Sequence, residues 1–192
     1  MPTVAVLPVK SFRLGKGRMA GQLTPEARSD LGRRLAERTA DLAIASDLLP
    51  IIVAGDSEVA TWAVDVGLPS LPDPGLGLNE AAAVGAEWAD QADSNWVVIH
   101  TDLPLLVSDE LGELTAALRR FGSAIAPSAD GGTSALGGKG RPGFCYGPGS
   151  FRRHLARFPD AGVVTRVGLL HDVDSYSDLE AALRHPRGRW LG

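Results

Sequence analysis

The sequence predicts an α/β protein in three layers, with a mostly parallel sheet covered by helices on both faces. Short apolar segments alternate with helical segments along nearly the whole chain, which is the pattern of such sheets. Residues 96–100, WVVIH, form the clearest strand, and their apolar character predicts a central position. The 192 residues contain no repeat or linker, so residues 1–192 are predicted to form a single domain.

The first half of the chain predicts three strands and three helices. Thr24 followed by Pro25 marks a helix start, because a hydroxyl caps free amides and proline suits the first helical position. Leucine spacing continues this helix to about residue 46. The other elements are strands at 3–9, 50–54 and 68–71, a helix over about 57–66 capped by Asp56, and a helix over about 80–92.

The second half continues the alternation, apart from an irregular region over residues 128–148 that is rich in Gly and Ser. Ser177 and Glu180 have the spacing of a capping box for the final helix. The other predicted elements are the strand at 96–100, a helix over about 109–119 capped by Ser108, a strand at 122–127, short strands at 133–136 and 143–146, a helix over 151–158 capped by Ser150, and a strand at 163–167.

Composition excludes several classes of partner. The net charge of −4 gives no overall basic surface for duplex nucleic acid, although anionic small molecules remain possible ligands. The single cysteine, Cys145, allows no disulfide within the chain, which favours a reducing cytoplasm. No apolar stretch approaches the ~18 residues of a membrane span, and the first residues lack a signal-peptide pattern. We therefore expect a cytoplasmic protein with no membrane partner.

Two glycine-containing segments approach known nucleotide-binding motifs without matching them. Residues 14–18, LGKGR, fail as a P-loop because Gly17 stands where Ser or Thr must contact magnesium. Residues 73–88, DPGLGLNEAAAVGAEW, fail the dinucleotide fingerprint because Glu80 occupies the position of its third glycine. A site must therefore be sought in another constellation of residues.

Four cations follow the first predicted strand, namely Lys10, Arg13, Lys16 and Arg18. Ligands of parallel sheets bind at the carboxyl ends of the strands. A lysine supplies a point charge and an arginine a two-pronged fork, so this loop suits a polyphosphate. A solvated basic loop is the alternative, and the spacing alone does not distinguish the two.

Carboxylates follow two other predicted strands. Asp102 stands at the end of the central strand, where it could hold Mg²⁺, which takes oxygen ligands and usually only one or two from protein. Asp172 and Asp174 follow the strand at 163–167, and one of them could complete the same metal site. The alternative is that these residues cap helices or turns.

The irregular region predicts an anion pocket. Ser150 is placed at a helix N-terminus with free amides behind it, which favours binding of a negative group. A hairpin with ordinary turns is the alternative interpretation of residues 131–136 and 146–150. The scattered histidines, His154, His171 and His185, are expected to be structural or exposed rather than catalytic.

Taken in order, the motifs resemble those of a known family. They are PVK…KxR, DPGxGLN, HTDLP, GT[NS]AL, GPGS…H and DVD…DL, and they run across nearly the whole chain. This ordered set resembles the guanylyltransferases of coenzyme F420 biosynthesis. Those enzymes are related to the molybdenum-cofactor guanylyltransferases, and the resemblance implies their nucleotide-diphospho-sugar transferase fold, which is Rossmann-like.

The resemblance implies a reaction in which a small phosphorylated acid attacks the α-phosphorus of GTP and pyrophosphate leaves. The favoured acceptor is phosphoenolpyruvate, which would give enolpyruvyl-2-diphospho-5′-guanosine, with Mg²⁺ as cofactor. The alternatives are 2-phospho-L-lactate or 3-phosphoglycerate as acceptor, a molybdenum-cofactor or sugar-phosphate nucleotidyltransferase, and a GTP-binding domain without catalysis. A further partner could be the next pathway enzyme, which consumes the product.

The resemblance also implies a role for each matching position. Ser134 departs from it, because relatives often have Asn there. Gly75 and Gly77 are expected to let backbone pass close to guanine or ribose, and Asn79 to cap the helix or bind the nucleoside, with capping favoured. The implied sets are Lys10, Lys16 and Arg18 for the triphosphate, Gly75, Gly77, Leu78 and Asn79 for the nucleoside, Thr133, Gly147 and Ser150 for the acceptor, and Asp102, Asp172 and Asp174 for the metal, with Asp174 an open alternative to Asp172.

Overall fold

The computed structural model describes residues 2–192 and contains seven strands in one sheet. The strands are β1 (Thr3–Val9), β2 (Leu49–Ala54), β3 (Ser70–Pro72), β4 (Asn95–Ile99), β5 (Ala124–Pro127), β6 (Thr133–Gly138) and β7 (Gly162–Val163). The helices are α1 (Pro25–Ala45), α2 (Ser57–Asp65), α3 (Leu78–Gln91), α4 (Ser108–Phe121), α5 (Ser150–Arg157), α6 (Val167–Leu170) and α7 (Tyr176–Arg184), with 3-10 helices at Gly17–Met19 and Pro186–Leu191.

The sheet is mostly parallel, as predicted, and its strand order is β3-β2-β1-β4-β6-β5-β7. Parallel pairs join β1 to β2 and β4, β2 to β3, and β5 to β7. Only β6 runs against its neighbours, β4 and β5. The first residue of β6 therefore lies at the edge where the other strands end. The central position predicted for β4 is confirmed.

Helices cover both faces of the sheet, so the strands are apolar on both sides. On one face, Leu7 and Val97 belong to a core cluster with α1, α2 and α4. On the other face, Val6 and Val98 pack with the alanines of α3. A third, smaller cluster joins α1 to α7 and the C-terminal 3-10 helix. Within residues 2–192, no helix combines the length and apolar character needed to cross a membrane.

Two predicted strands are wrong. Residues 143–146 form a loop, because the amides of Cys145 and Tyr146 donate to side chains instead of to a neighbouring strand. The strand predicted at 163–167 ends at Val163, and Val167 begins α6. Asp172 and Asp174 therefore follow a short helix and a loop rather than a strand end.

The helix caps were predicted with mixed success. Thr24 and Asp56 accept hydrogen bonds from Ala27 N and Val59 N, at 3.2 and 2.9 Å, which confirms both caps. Three further predicted caps are wrong. Ser108 and Ser150 are the first residues of their helices, preceded by the caps Val107 and Gly149, and the capping box of the last helix uses Ser175 and Asp178 instead of Ser177 and Glu180.

Candidate active site

A cavity of about 500 Å³ opens at the carboxyl edge of the sheet. Its walls come from the ends of β1, β4 and β5, the start of β6, and the loop after α6. Predicted site residues from four distant segments line it, including Lys10, Asp102, Thr133 and Asp172. The segments after β1 and β4 therefore meet at one cavity, as expected for the carboxyl ends of neighbouring parallel strands.

Lys16 connects the basic loop to the acidic residues. Its ammonium donates to Asp102 Oδ2 at 2.9 Å and to the carbonyl of Val173 at 2.6 Å, and it lies 4.0 Å from Asp174 Oδ1. The Lys16 side chain is only 12% exposed. The structure thus joins a residue predicted to bind triphosphate directly to one predicted to bind metal.

The other predicted cations differ in placement. Lys10 lines the cavity and is exposed. Arg18 lies outside the cavity wall, and its guanidinium is 3.4 Å from Asp174 Oδ2. Arg13 is also outside the wall and pairs with Glu58 at 3.0 Å. The basic loop is therefore divided between the cavity and the surrounding surface.

The carboxylates of Asp102 and Asp172 have opposite electrostatic surroundings. Burial alone would raise the pKa of Asp102, but Lys16 and then His100 outweigh it and hold that pKa below its ordinary value. Burial, together with the nearby charge of Asp102, raises the pKa of Asp172 to about 6. Asp102 therefore keeps its charge more readily than Asp172, although both face the same cavity.

These carboxylates suit a hard cation, although they do not form a complete metal site. Within the described part of the chain, no three His, Cys, Asp or Glu side chains are grouped as a metal-binding set. Asp102 Oδ1 is nevertheless buried without a hydrogen-bond partner, and Asp172 faces the same cavity. Mg²⁺ usually takes one or two protein carboxylates and keeps several waters, so the available donors fit it.

The three residues predicted for the acceptor pocket lie together. Thr133, Gly147 and Ser150 all line the cavity, and Ser150 Oγ donates to Thr133 Oγ1 at 3.2 Å. The amides predicted to be free at this helix end are occupied, because Ser150 N and Phe151 N donate to carbonyls at 3.0 and 3.3 Å. The hydroxyl of Thr133, rather than those two amides, remains to bind an anion, because the proton of Ser150 Oγ is given to Thr133.

The glycine-rich loop before α3 is only partly at the cavity. Gly75 and Gly77 have φ of 76° and 110°, in the region that favours glycine, but neither lines the cavity wall. Leu78 does line it. Asn79 does not cap the helix, since Gly77 holds that position and Asn79 Oδ1 accepts from Tyr146 N at 2.6 Å.

Residues 3–189 match the family model described as Guanylyl transferase CofC like. The chain belongs to this guanylyltransferase family. It is therefore a nucleotidyltransferase of the family that the sequence motifs resembled.

Two curated relatives of the guanylyltransferase carry different acceptor names. It is 35% identical to the phosphoenolpyruvate guanylyltransferase of Sphaerobacter thermophilus, over 96% of this chain and 94% of the relative. It is 33% identical to the 2-phospho-L-lactate guanylyltransferase of Halorubrum lacusprofundi, over 92% of this chain and 86% of the relative.

Solved structures confirm the fold of the guanylyltransferase. A chain from Desulfovibrio desulfuricans named as a nucleotide-diphospho-sugar transferase has a TM-score of 0.77 at 18% identity, covering 100% of this chain and 94% of that one. A nucleotidyl transferase from Methanothermobacter has a TM-score of 0.62 at 16% identity, covering 94% and 95% of the two chains. The predicted nucleotide-diphospho-sugar transferase fold is correct.

Sequence reasoning missed several residues at the cavity of the guanylyltransferase. His100 Nε2 and Tyr146 Oη are buried without hydrogen-bond partners, and both residues line the wall. Asp130 lines it from the loop after β5, and Arg28 from α1. His100 could have been found, because it follows β4 two positions before Asp102. Arg28 gives no local signal, since only the packing of α1 brings it to the cavity.

Proposed function

We propose that this chain transfers GMP from GTP to phosphoenolpyruvate, giving enolpyruvyl-2-diphospho-5′-guanosine and pyrophosphate in coenzyme F420 biosynthesis. Membership of the guanylyltransferase family supports GTP as the nucleotide that donates GMP. The acceptor is favoured because similar relatives in Sphaerobacter thermophilus and Nocardia farcinica are both named phosphoenolpyruvate guanylyltransferases. The observation that carries the mechanism is the pairing of Lys16 with Asp102, whose second oxygen is buried and unpartnered.

The reaction needs little proton chemistry. An oxygen of the acceptor phosphate forms a bond to the α-phosphorus of GTP, and the bond from that phosphorus to the bridging oxygen breaks as pyrophosphate leaves. A phosphate monoester has a second pKa of roughly 6, so its oxygen is already anionic at pH 7. No general base is required, which agrees with a cavity whose informative residues are carboxylates, cations and hydroxyls.

The main difficulty is repulsion between two anionic substrates. One pair of unit charges at about 4 Å costs on the order of 4 kcal/mol at an effective dielectric of 20, and several such pairs would form here. Lys10 and Arg28 bring positive charge to the cavity wall. Lys16 has three donors, of which Asp102 and Val173 use two, so a third remains for a phosphate oxygen.

Asp102 and Asp172 would hold Mg²⁺ beside these cations, with Asp174 the alternative to Asp172. When bound, the ion would supply positive charge against the phosphates of both substrates. Asp102 is suited to this role because its pKa is held below its ordinary value and it stays ionised. Asp174 is less suited, since it already pairs with Arg18.

Both substrates would bind around this charged centre. Thr133 would bind the acceptor through its hydroxyl, while Ser150 holds that hydroxyl and Gly147 lets backbone come close. Leu78 would contact the nucleoside from the start of α3, while Gly75 and Gly77 shape the loop that leads to it. We include Asn79 in the nucleoside site through its amide nitrogen, since its oxygen is bound to Tyr146.

An acceptor-substitution assay tests this function. The protein is incubated with GTP, Mg²⁺ and one acceptor at a time, namely phosphoenolpyruvate, 2-phospho-L-lactate or 3-phosphoglycerate, and pyrophosphate and product mass are measured. We expect the highest kcat/KM with phosphoenolpyruvate. An enzyme that consumes the product is supplied in a parallel reaction, because that enzyme is a proposed partner. A higher kcat/KM with another acceptor would replace phosphoenolpyruvate as the proposed substrate. If neither reaction releases pyrophosphate in an acceptor-dependent way, the proposed function is refuted.

A further inference from the structure

A buried histidine stands directly behind the hydroxyls of the acceptor pocket. His154 lies on α5 and is 0% exposed, while Thr133 and Ser150 are each 1% exposed. His154 Nδ1 is 3.0 Å from Thr133 Oγ1. Its other ring nitrogen, Nε2, accepts a hydrogen bond from the backbone amide of Cys145 at 3.0 Å. The proposed transfer of GMP assigns no role to this imidazole.

The contact with Cys145 fixes where the imidazole carries its proton. A backbone amide can only donate, so Nε2 must offer a lone pair. A doubly protonated ring is excluded because both nitrogens would then be donors. The single proton is therefore on Nδ1, which donates to Thr133 Oγ1. Burial, followed by the charges of Arg153 and Arg157, lowers the pKa of His154 to about 4 and agrees with a neutral ring.

The proton on Nδ1 determines the direction of the next hydrogen bonds. A threonine hydroxyl has one proton and two lone pairs. Thr133 Oγ1 accepts from His154 Nδ1 at 3.0 Å and from Ser150 Oγ at 3.2 Å, which uses both lone pairs. The remaining proton of Thr133 cannot be given to either neighbour. Because Thr133 lines the cavity, that proton is available to a ligand there.

We propose that His154 is a positioning residue that fixes the Thr133 hydroxyl as a hydrogen-bond donor to an anionic oxygen of the acceptor. The inference rests on the proposed function, because it takes Thr133 and Ser150 as the acceptor pocket. A carboxylate or phosphate oxygen can only accept, so it matches this fixed proton. If the imidazole proton were on Nε2, the threonine would spend its proton on the ring and present a lone pair to an anion.

Two amide variants separate the two sides of the ring. In His154→Asn the side-chain NH₂ can take the place of Nδ1 and still donate to Thr133. In His154→Gln the longer amide reaches the place of Nε2, so it can accept from Cys145 but loses the contact with Thr133. The pair distinguishes positioning of the hydroxyl from simple support of the loop around Cys145.

We expect His154→Gln to raise the KM for phosphoenolpyruvate about tenfold, which is the loss of one oriented hydrogen bond. The KM for GTP should stay within about twofold. His154→Asn should keep the KM for phosphoenolpyruvate within about threefold of the wild type. This should hold even if the thermal midpoint of His154→Asn falls as far as that of His154→Gln. Equal acceptor KM values for the two variants, or a parallel rise in the KM for GTP, would overturn the inference.

A double-mutant cycle with Thr133→Val provides the second test. Thr133→Val keeps the side-chain shape and removes the hydroxyl, so it should raise the acceptor KM by itself. Adding His154→Gln to that variant should change the acceptor KM by less than about twofold, because the histidine acts through the missing hydroxyl. If the effects of the two substitutions on the acceptor KM are fully additive, the inference is wrong. The proposed function would still stand, because the wild type would be active. An inactive wild type would refute both.

Discussion

At the residue scale, Lys16 has the most informative environment in the molecule. It adopts a left-handed backbone conformation with φ of 54°, which is uncommon for a residue other than glycine. That conformation begins the 3-10 helix Gly17–Met19 and accompanies the contact of its side chain with Asp102, 86 positions later. The pair therefore joins the loop after β1 to the end of β4.

The metal assignment predicts different outcomes for three aspartates. Asp102→Asn and Asp172→Asn should each lower kcat for pyrophosphate release by about 100-fold or more, because each removes a charged oxygen from the site. Asp174→Asn should lower kcat for pyrophosphate release by less than about tenfold, since the carboxylate of Asp174 is paired with Arg18. Initial rates over a range of Mg²⁺ concentrations test this order. Near-normal turnover of Asp102→Asn would remove it from the metal site, and a large loss in Asp174→Asn would place Asp174 there.

His154 predicts a pH dependence of stability. Its pKa is lowered to about 4 in the folded protein by burial and then by Arg153, Arg157 and His100, compared with 6.5 as its ordinary value. Between these two pH values the unfolded chain binds the proton and the folded chain does not. The stabilisation is therefore complete above about pH 6.5 and is lost as the pH falls toward 4, by about 3 kcal/mol in all.

Denaturant unfolding at several pH values checks this expectation. The wild type should lose more free energy of unfolding between pH 6.5 and pH 4.5 than His154→Gln, which has no titrating ring. Taking the difference between the two proteins removes the common effect of other groups, including Asp172, whose raised pKa acts in the opposite direction. Parallel curves for the two proteins would contradict a buried neutral histidine.

At the element scale, α3 is alanine-rich because it lies close to the sheet. Ala81, Ala82 and Ala86 are buried against β1 and β4, and Gly85 faces Val6 on β1. A methyl group added to Gly85 would overlap the Val6 side chain. The small residues of α3 are thus explained by close packing against the sheet. Leu78, at the start of α3, lines the cavity.

Gly85→Ala is expected to destabilise the protein by about 1–3 kcal/mol, because the added methyl overpacks the core. Gly112→Ala on α4 is the matched control, since nothing lies within 4 Å of the added group there. That control should stabilise by about 0.5–1 kcal/mol through helix propensity. Thermal unfolding of both variants measures the difference. A neutral or stabilising Gly85→Ala would show that α3 can move away from β1 at little cost.

The element boundaries show where sequence patterns are ambiguous. Ser175 with Asp178 and Ser177 with Glu180 both have capping spacing, and they differ by a shift of two residues. The structure uses the first pair, which places Leu179 in the core. Local spacing could not choose between them, because the choice depends on which helix face meets the core cluster formed with α1.

At the scale of the whole molecule, the reversal of β6 assembles the two halves of the site. Because β6 runs against β4, its first residue, Thr133, lies beside the segment that follows β4, and His100 N donates to Ser134 O at 2.9 Å. Thr133 therefore reaches the same edge of the sheet as Lys10 and Asp102. A parallel β6 would have placed Thr133 at the opposite edge of the sheet.

Since the cavity joins distant segments, a bound nucleotide should stabilise the whole fold. GTP with Mg²⁺ at about 100 times its Kd should add about 2.7 kcal/mol to the free energy of unfolding. Thermal unfolding with and without GTP measures this, with Mg²⁺ alone as the control. Asp102→Asn should show a smaller shift at the same GTP concentration. An absence of any shift at millimolar GTP would argue against nucleotide binding in the cavity.

The sequence by itself determined the alternation of strands and helices, the central strand and the family, because these follow from local apolar patterns and from motifs kept in order along the chain. It also placed Lys10 and Asp102 at strand ends. The tertiary structure alone decided that Lys16 binds Asp102, that Asn79 binds Tyr146, and that His154 supports Thr133. These contacts join segments far apart in the chain, and their geometry depends on strand order, on the direction of β6 and on helix packing, none of which local residue patterns specify.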